Sequence, residues 1–238
     1  MVDAATVTVS APDGEMDIYD ATPDATAGGA VIVVQEVFGV NEHIQDVTRR
    51  FADAGWRAAA PHLFHRTGDP VLSYDDIQAV FPHMRALTVD ALLDDIDATL
   101  SHLAGAGFPA HRVGIVGFCA GGSIAFLAAA RRDLGAAVTF YGGGIREGRF
   151  LPPLLELAPE LRAPWLGLYG DMDEGIPPEE VEDLRSVVNQ QPVPTEVVRY
   201  PDADHGFHCD ARPAHYDEGA ARDAWTRTLS WFDRHLTV

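Results

Sequence analysis

Residues 113–132 read Val113-Gly114-Ile115-Val116-Gly117-Phe118-Cys119-Ala120-Gly121-Gly122-Ser123-Ile124-Ala125-Phe126-Leu127-Ala128-Ala129-Ala130-Arg131-Arg132. Val113 to Phe118 is apolar without alternation, the pattern of a strand buried on both faces of a parallel sheet. Ser123 to Arg132 is alanine-rich and reads as a helix. Between them Gly117-Phe118-Cys119-Ala120-Gly121 forms G-x-C-x-G, a nucleophile-elbow pattern in the strand-to-helix context that such an elbow requires. Small neighbours are needed there because the nucleophile sits on a sharp, strained turn. A thiol at the first turn of a helix also faces unpaired N–H groups and the positive dipole end, which favours thiolate. Taken alone, the pattern fits a packing thiol in a glycine-rich turn equally well.

The same rhythm extends in both directions. Thr6 to Ser10 and Met16 to Tyr19 flank Pro12-Asp13-Gly14 and predict an opening β-hairpin. Ala30 to Val34 is a second fully apolar strand, ending in Gln35-Glu36. Asn41 is positioned to cap a helix from His43 to Ala54, and Arg57 to Ala60 is a short strand. Asp75 through Leu103 is helix-like, with a kink or division expected at Pro82. Ala136 to Tyr141, Trp165 to Tyr169 and Thr195 to Tyr200 predict strands; Glu179 to Asn189 and Ala214 to His235 predict helices. Alternating strands and helices imply one parallel sheet covered on both faces, and the whole chain, 1–238, reads as a single α/β domain. Arg146 to Pro164, rich in proline, is the least regular segment and reads as a lid or a plain excursion.

Composition removes several function classes. Seventeen Lys+Arg against thirty-six Asp+Glu give a formal charge of −19, and no basic stripe interrupts it, so neither nucleic acid nor an anionic membrane surface is expected as a partner. All seventeen cations are arginine. Without lysine there is no Schiff-base chemistry and no GK[ST] phosphate loop. Two cysteines are too few for a secreted disulfide framework, the N-terminal stretch lacks the basic and apolar regions of a signal peptide, and no apolar run approaches the roughly 20 residues of a membrane span; the expected location is the cytoplasm.

In an open parallel sheet the site lies beyond the carboxyl ends of the strands. Four sets of reactive residues fall there: Cys119; Asp171 and Asp173 after the strand Trp165 to Tyr169; His205 after the strand Thr195 to Tyr200; and Glu36 after Val31 to Gln35. Nucleophile, acid and histidine thus follow the chain order of an α/β-hydrolase triad, with Asp171 and Asp173 competing for the acid role. Glu36, at the mouth of a buried strand, is either hydrogen-bonded structure or an acid tuned for proton transfer. His62 with His65, and His205 with His208 and Cys209, offer short-spaced metal ligands but match no strong zinc pattern, so neither a metal nor another cofactor is expected.

Gln35-Glu36-Val37-Phe38-Gly39-Val40-Asn41, Gly117-Phe118-Cys119-Ala120-Gly121-Gly122, Gly170-Asp171-Met172-Asp173 and His205-Gly206-Phe207 together resemble the dienelactone hydrolase family, from about Val31 to the end of the chain. The resemblance implies an α/β-hydrolase fold and hydrolysis of a small-molecule lactone or activated ester through an acyl-enzyme. It implies Cys119 as nucleophile, His205 as base, Asp173 as its orienter and Glu36 as the acid that holds the resting thiol. It also implies an oxyanion hole made by the backbone N–H groups of Ala120 and Val37. Tyr141 falls where the family has a YYG-like strand end, which lines the pocket or packs the core. Family arginines that hold a substrate carboxylate are matched here by Ile77 and Cys209, leaving Arg85 and Arg212 as the nearby candidates for a carboxylate clamp. The alternatives from other classes are a hydrolase-fold protein using Cys119 as a redox or ligand-binding thiol, and hydrolysis of a different bond such as carbon–halogen.

Overall fold

In the computed structural model, which describes residues 2–236, β1 (Asp3–Ala11) and β2 (Gly14–Thr22) form the opening hairpin, joined through Pro12-Asp13. There follow β3 (Ala30–Val34), α1 (Glu42–Asp53), β4 (Arg57–Pro61), α2 (Phe81–Ala86), α3 (Val89–Gly105), β5 (Val113–Phe118) and α4 (Ala120–Arg131). The chain continues through β6 (Ala136–Phe140), α5 (Leu154–Leu157), β7 (Trp165–Gly170), α6 (Pro178–Val188), β8 (Thr195–Tyr200) and α7 (Glu218–Leu236). The eight strands make one sheet in the order β1-β2-β4-β3-β5-β6-β7-β8, antiparallel at β1, β2 and β4 and parallel from β4 to β8.

The unbroken apolar runs behave as their composition demands. Every residue of β3, β5 and β6 is buried, because helices cover both faces and no strand position looks to water. The chain leaves β3 towards β4 on one side and later returns to β5 on the other, so the crevice beyond β3 and β5 is a topological switch point, where ligands bind in open α/β sheets.

Register then fixes the neighbours. Val34 pairs with Gly117 and Phe118 with Phe140, so continuing the strands by one or two residues sets Glu36 level with Cys119, and Cys119 beside Tyr141. The Cys119 N–H donates to the Phe140 carbonyl at 3.1 Å, and that of Tyr141 to the Leu168 carbonyl at 2.8 Å, extending the ladder past the strand ends.

Among the element boundaries that differ from the sequence expectation, three have a clear physical cause. The helix after β5 starts at Ala120 rather than Ser123, although Gly121 and Gly122 each weaken a helix by about 1 kcal/mol relative to alanine. Tertiary contact decides: a Cβ on Gly121 would stand 2.4 Å from the Gln35 carbonyl oxygen, and one on Gly122 2.7 Å from that of Phe140. Pro82 does not break its helix but sits in the first turn of α2, where its missing N–H has no intrahelical acceptor to lose. The division falls instead at Leu87, which is extended, and at Thr88, whose hydroxyl caps α3 by accepting from Ala91 N–H at 3.2 Å. The last helix begins at Glu218 rather than Ala214, behind turns that carry Pro213 and a cap in which Asp217 Oδ1 accepts from Ala220 N–H at 2.8 Å.

Candidate active site

Cys119 stands at the tip of the β5–α4 turn with φ 56° and ψ −120°, a conformation that L-residues with a Cβ avoid. Such strain persists only where the surroundings over-determine it. Here Gly117 and Gly121 lie so close that a Cβ on Gly117 would meet the Gly121 oxygen at 1.9 Å. The small-residue pattern read in the sequence is therefore a packing requirement of the elbow.

His205 follows β8 and reaches back across the ends of β7 and β6. Its Nδ1 is 2.6 Å from Asp173 Oδ2, and the other Asp173 oxygen accepts the Gly175 N–H at 2.8 Å. Asp173 is buried, while the imidazole is about one-third exposed. Burial pulls the His205 pKa down, but the Cys119 sulfur, acting as charge and as hydrogen-bond partner, together with the Asp173 carboxylate, outweighs it and holds the imidazole well above its ordinary value. Asp171, the competing acid, is occupied elsewhere: Arg199 donates to both of its oxygens, Nε at 2.6 Å and Nη2 at 2.8 Å.

Glu36 is 2% exposed, and its Oε2 accepts a hydrogen bond from the Tyr74 hydroxyl at 3.3 Å. The Tyr141 ring is fully buried, its centroid 5.1 Å from that of His205 and 5.3 Å from that of Phe207. Its phenol is raised far above the usual range by burial, reinforced by the charges of Glu36, Cys209 and Cys119. Tyr141 packs behind His205 and does not face the open cavity.

That cavity, about 610 Å³, opens over Cys119 and His205. Val37 and Ala120 line its floor, and Ala120, as the first residue of α4, has no carbonyl one turn back to receive its N–H. The walls are mainly apolar: Ile77, Val80, Phe81 and Met84 from one side, Phe150, Leu151 and Leu154 from the other. Arg85 lines the cavity, as does Arg149, which sequence reading missed because its loop carries no periodic signal. Arg212 does not; its guanidinium lies over the Tyr74 ring, 5.4 Å from the centroid. The 146–164 segment supplies a wall through Arg149 to Leu154 and then folds into α5 and a single 3-10 turn at Ala158–Glu160.

The short-spaced histidines diverge. His62 Nδ1 is 2.6 Å from Asp69 and His65 Nε2 is 3.1 Å from Asp95, while His208 is buried, stacked on Phe118 and Trp225. Asp13, His65 and Asp95 come together, but the Arg66 guanidinium is inserted among them, Nη1 to Asp95 at 2.7 Å and Nη2 to Asp13 at 3.0 Å. That cluster is a compensated ion pair. Among the described residues no helix is long and apolar enough to cross a membrane.

The model of the dienelactone hydrolase family matches residues 16–236. The chain belongs to the dienelactone hydrolase family. Similar members include a Salmonella typhimurium protein named "Putative carboxymethylenebutenolidase", 40% identical over 98% of this chain and 88% of its own length. The "Carboxymethylenebutenolidase" of Rhodococcus opacus is 30% identical over 92% of this chain and 86% of its own. A solved Klebsiella pneumoniae structure titled "Putative Dienelactone Hydrolase" superposes with a TM-score of 0.91 at 40% identity, covering 98% of this chain and 99% of that one. The fold is that of the α/β-hydrolases, and within the dienelactone hydrolase family this chain is a hydrolase of lactones or esters.

Proposed function

We propose that the chain hydrolyses a lactone or activated ester through a thioester on Cys119, with His205 as base, Asp173 as its orienter and Glu36 as the second acid. The observation that carries this reading is that Cys119 and His205 line the same cavity, with the His205 imidazole held at Nδ1 by the buried Asp173 carboxylate at 2.6 Å. His205, oriented by Asp173, takes the thiol proton of Cys119 and the sulfur attacks the carbonyl carbon. Glu36, level with Cys119 and sharing the Tyr141 surroundings, accepts any proton left on the thiol as substrate enters.

The tetrahedral oxyanion is received by the backbone N–H groups of Ala120 and Val37, a pair whose individual members are each worth about 10²- to 10³-fold in kcat. Collapse breaks the bond to the leaving oxygen, which takes the imidazolium proton. Water, deprotonated by the now neutral His205, then attacks the thioester; acid is released and the thiolate–imidazolium pair is restored. A thiolate is a good leaving group as well as a good nucleophile, so substrates with a stabilised leaving oxygen, an enolate or aryloxide, are favoured over amides. The apolar walls fit a hydrophobic acyl or ring moiety, and Arg85 with Arg149 offers the cationic part of the lining to any carboxylate the substrate carries.

The test is a panel of dienelactones, simple lactones and p-nitrophenyl esters with wild type and Cys119→Ala, combined with intact-mass detection of an acyl adduct on Cys119. Loss of turnover by at least about 10³-fold and a trapped adduct are expected. Retention of most lactone or ester hydrolysis by Cys119→Ala would show that the nucleophile is another group.

A further inference from the structure

We propose that Tyr74 is a positioning residue for Glu36: its phenol, donating to Oε2, holds the buried carboxylate in place at the end of β3, level with Cys119. The inference rests on the reading of Glu36 as a working acid.

Three polar groups meet the Tyr74 oxygen. Asn41 Nδ2 is 3.0 Å away, Glu36 Oε2 3.3 Å and Cys209 Sγ 3.4 Å. The direction of each bond follows from elementary donor and acceptor chemistry. Asn41 caps α1 with its Oδ1, which accepts from Ile44 N–H at 3.1 Å, so its amide cannot flip and Nδ2 must donate to the phenol. The single phenolic proton is left for Glu36 or for Cys209. A carboxylate is a much stronger acceptor than a sulfur, so the proton goes to Glu36. Burial, with Glu36 close by, pushes the phenol far above its ordinary range, so Tyr74 keeps that proton to donate.

The ring is fixed as firmly as the hydroxyl. Phe38 meets it edge-on at 4.6 Å, and the Arg212 guanidinium lies over its face. Its loop is pinned by the bond from Leu72 N–H to the Phe38 carbonyl at 3.0 Å. That approach depends on Gly39, which has φ +84° and where a Cβ would stand 2.5 Å from the Pro70 oxygen. One rigid line therefore runs from the N-terminus of α1 through Asn41 and Tyr74 to Glu36. A neutral donor at its end orients the carboxylate without placing a cation on it, which leaves the acid free to take a proton. Arg212, expected from the sequence near a substrate carboxylate, serves this line instead.

The experiment is a double-mutant cycle on the full chain: wild type, Tyr74→Phe, Glu36→Gln and the double variant, with kcat and KM measured on one p-nitrophenyl ester. Tyr74→Phe is expected to lower kcat about tenfold, the scale of one hydrogen bond to a charged group, with KM changed less than twofold. In the Glu36→Gln background the same change is expected to alter kcat less than twofold. Equal losses in both backgrounds, or no loss from Tyr74→Phe while Glu36→Gln is impaired, would overturn the role of Tyr74 and leave that of Glu36 standing. Full activity of Glu36→Gln would overturn both. If Tyr74→Phe does not fold, Asn41→Asp takes its place in the cycle: it keeps the helix cap but presents the phenol with a competing acceptor. It is expected to reproduce the same coupled loss, and a loss independent of Glu36 would again overturn the assignment.

Discussion

Asp173 and His205, separated by 32 positions in the chain, meet at 2.6 Å, while Asp171, two residues before Asp173, is bound to Arg199 on the other side of the same turn. Two aspartates of one short motif thereby have different partners. Asp173→Asn is expected to lower kcat by about 10³- to 10⁴-fold, because the amide cannot hold the imidazole in the required tautomer. Asp171→Asn is expected to leave kcat within about threefold and to cost at most about 1 kcal/mol, since its ion pair is partly exposed and screened. Steady-state kinetics and thermal melts of the two variants check both statements. An equal kinetic loss in the two would contradict the division.

The raised pKa of His205 carries a definite sign in stability. Its folded-state value lies above the unfolded 6.5, so the pairing with Cys119 and Asp173 contributes its full stabilisation below about pH 6.5 and loses it as pH rises through the elevated value. Cys119→Ala removes the sulfur's share. The His205 titration followed by NMR is expected to move to lower pH in that variant.

His208 behaves oppositely. Burial between Phe118 and Trp225, with His43 and Arg50 adding positive charge that Asp210 only partly offsets, pulls its pKa down to about 3. The folded protein therefore binds fewer protons than the unfolded chain below about pH 6.5, and stability drains away progressively from there down to about pH 3. His208→Phe keeps the stack and deletes the titration. The midpoint of acid unfolding, followed by circular dichroism, is expected to shift to lower pH in that variant; an unchanged midpoint would place the acid sensitivity elsewhere.

Gly117→Ala tests the elbow. The added methyl would stand 1.9 Å from a backbone oxygen, in a turn fixed by the β5 ladder on one side and by α4 on the other. Neither neighbour is a flexible side chain that can swing away. Destabilisation of about 3 kcal/mol or more is expected, seen as a loss of soluble protein or a large fall in melting temperature. Gly55→Ala meets no atom within 4 Å, yet its φ of +93° makes the substitution strained, so a smaller and purely conformational penalty is expected there.

The amino-acid order alone determined the strands and the place of each reactive residue beyond a strand end, but not the order in which the strands lie in the sheet. Strands buried on both faces must be apolar throughout, which is why Ala30 to Val34 and Val113 to Phe118 were legible without any knowledge of their partners. Glycines at 117 and 121 announced the elbow because the backbone leaves no room for a Cβ. Tertiary structure decided whatever depended on distance through space. It set Asp173 against His205 and Asp171 against Arg199, although the two carboxylates look alike in the chain. It turned Tyr141 into the core behind His205, set Arg212 over the Tyr74 ring, and brought Arg149 to the cavity from an irregular loop. The reason is physical: burial and alternation are imposed on each strand by its own neighbours and so are written locally, whereas the partner of a charge is set by where distant loops cross, and no local pattern records that crossing.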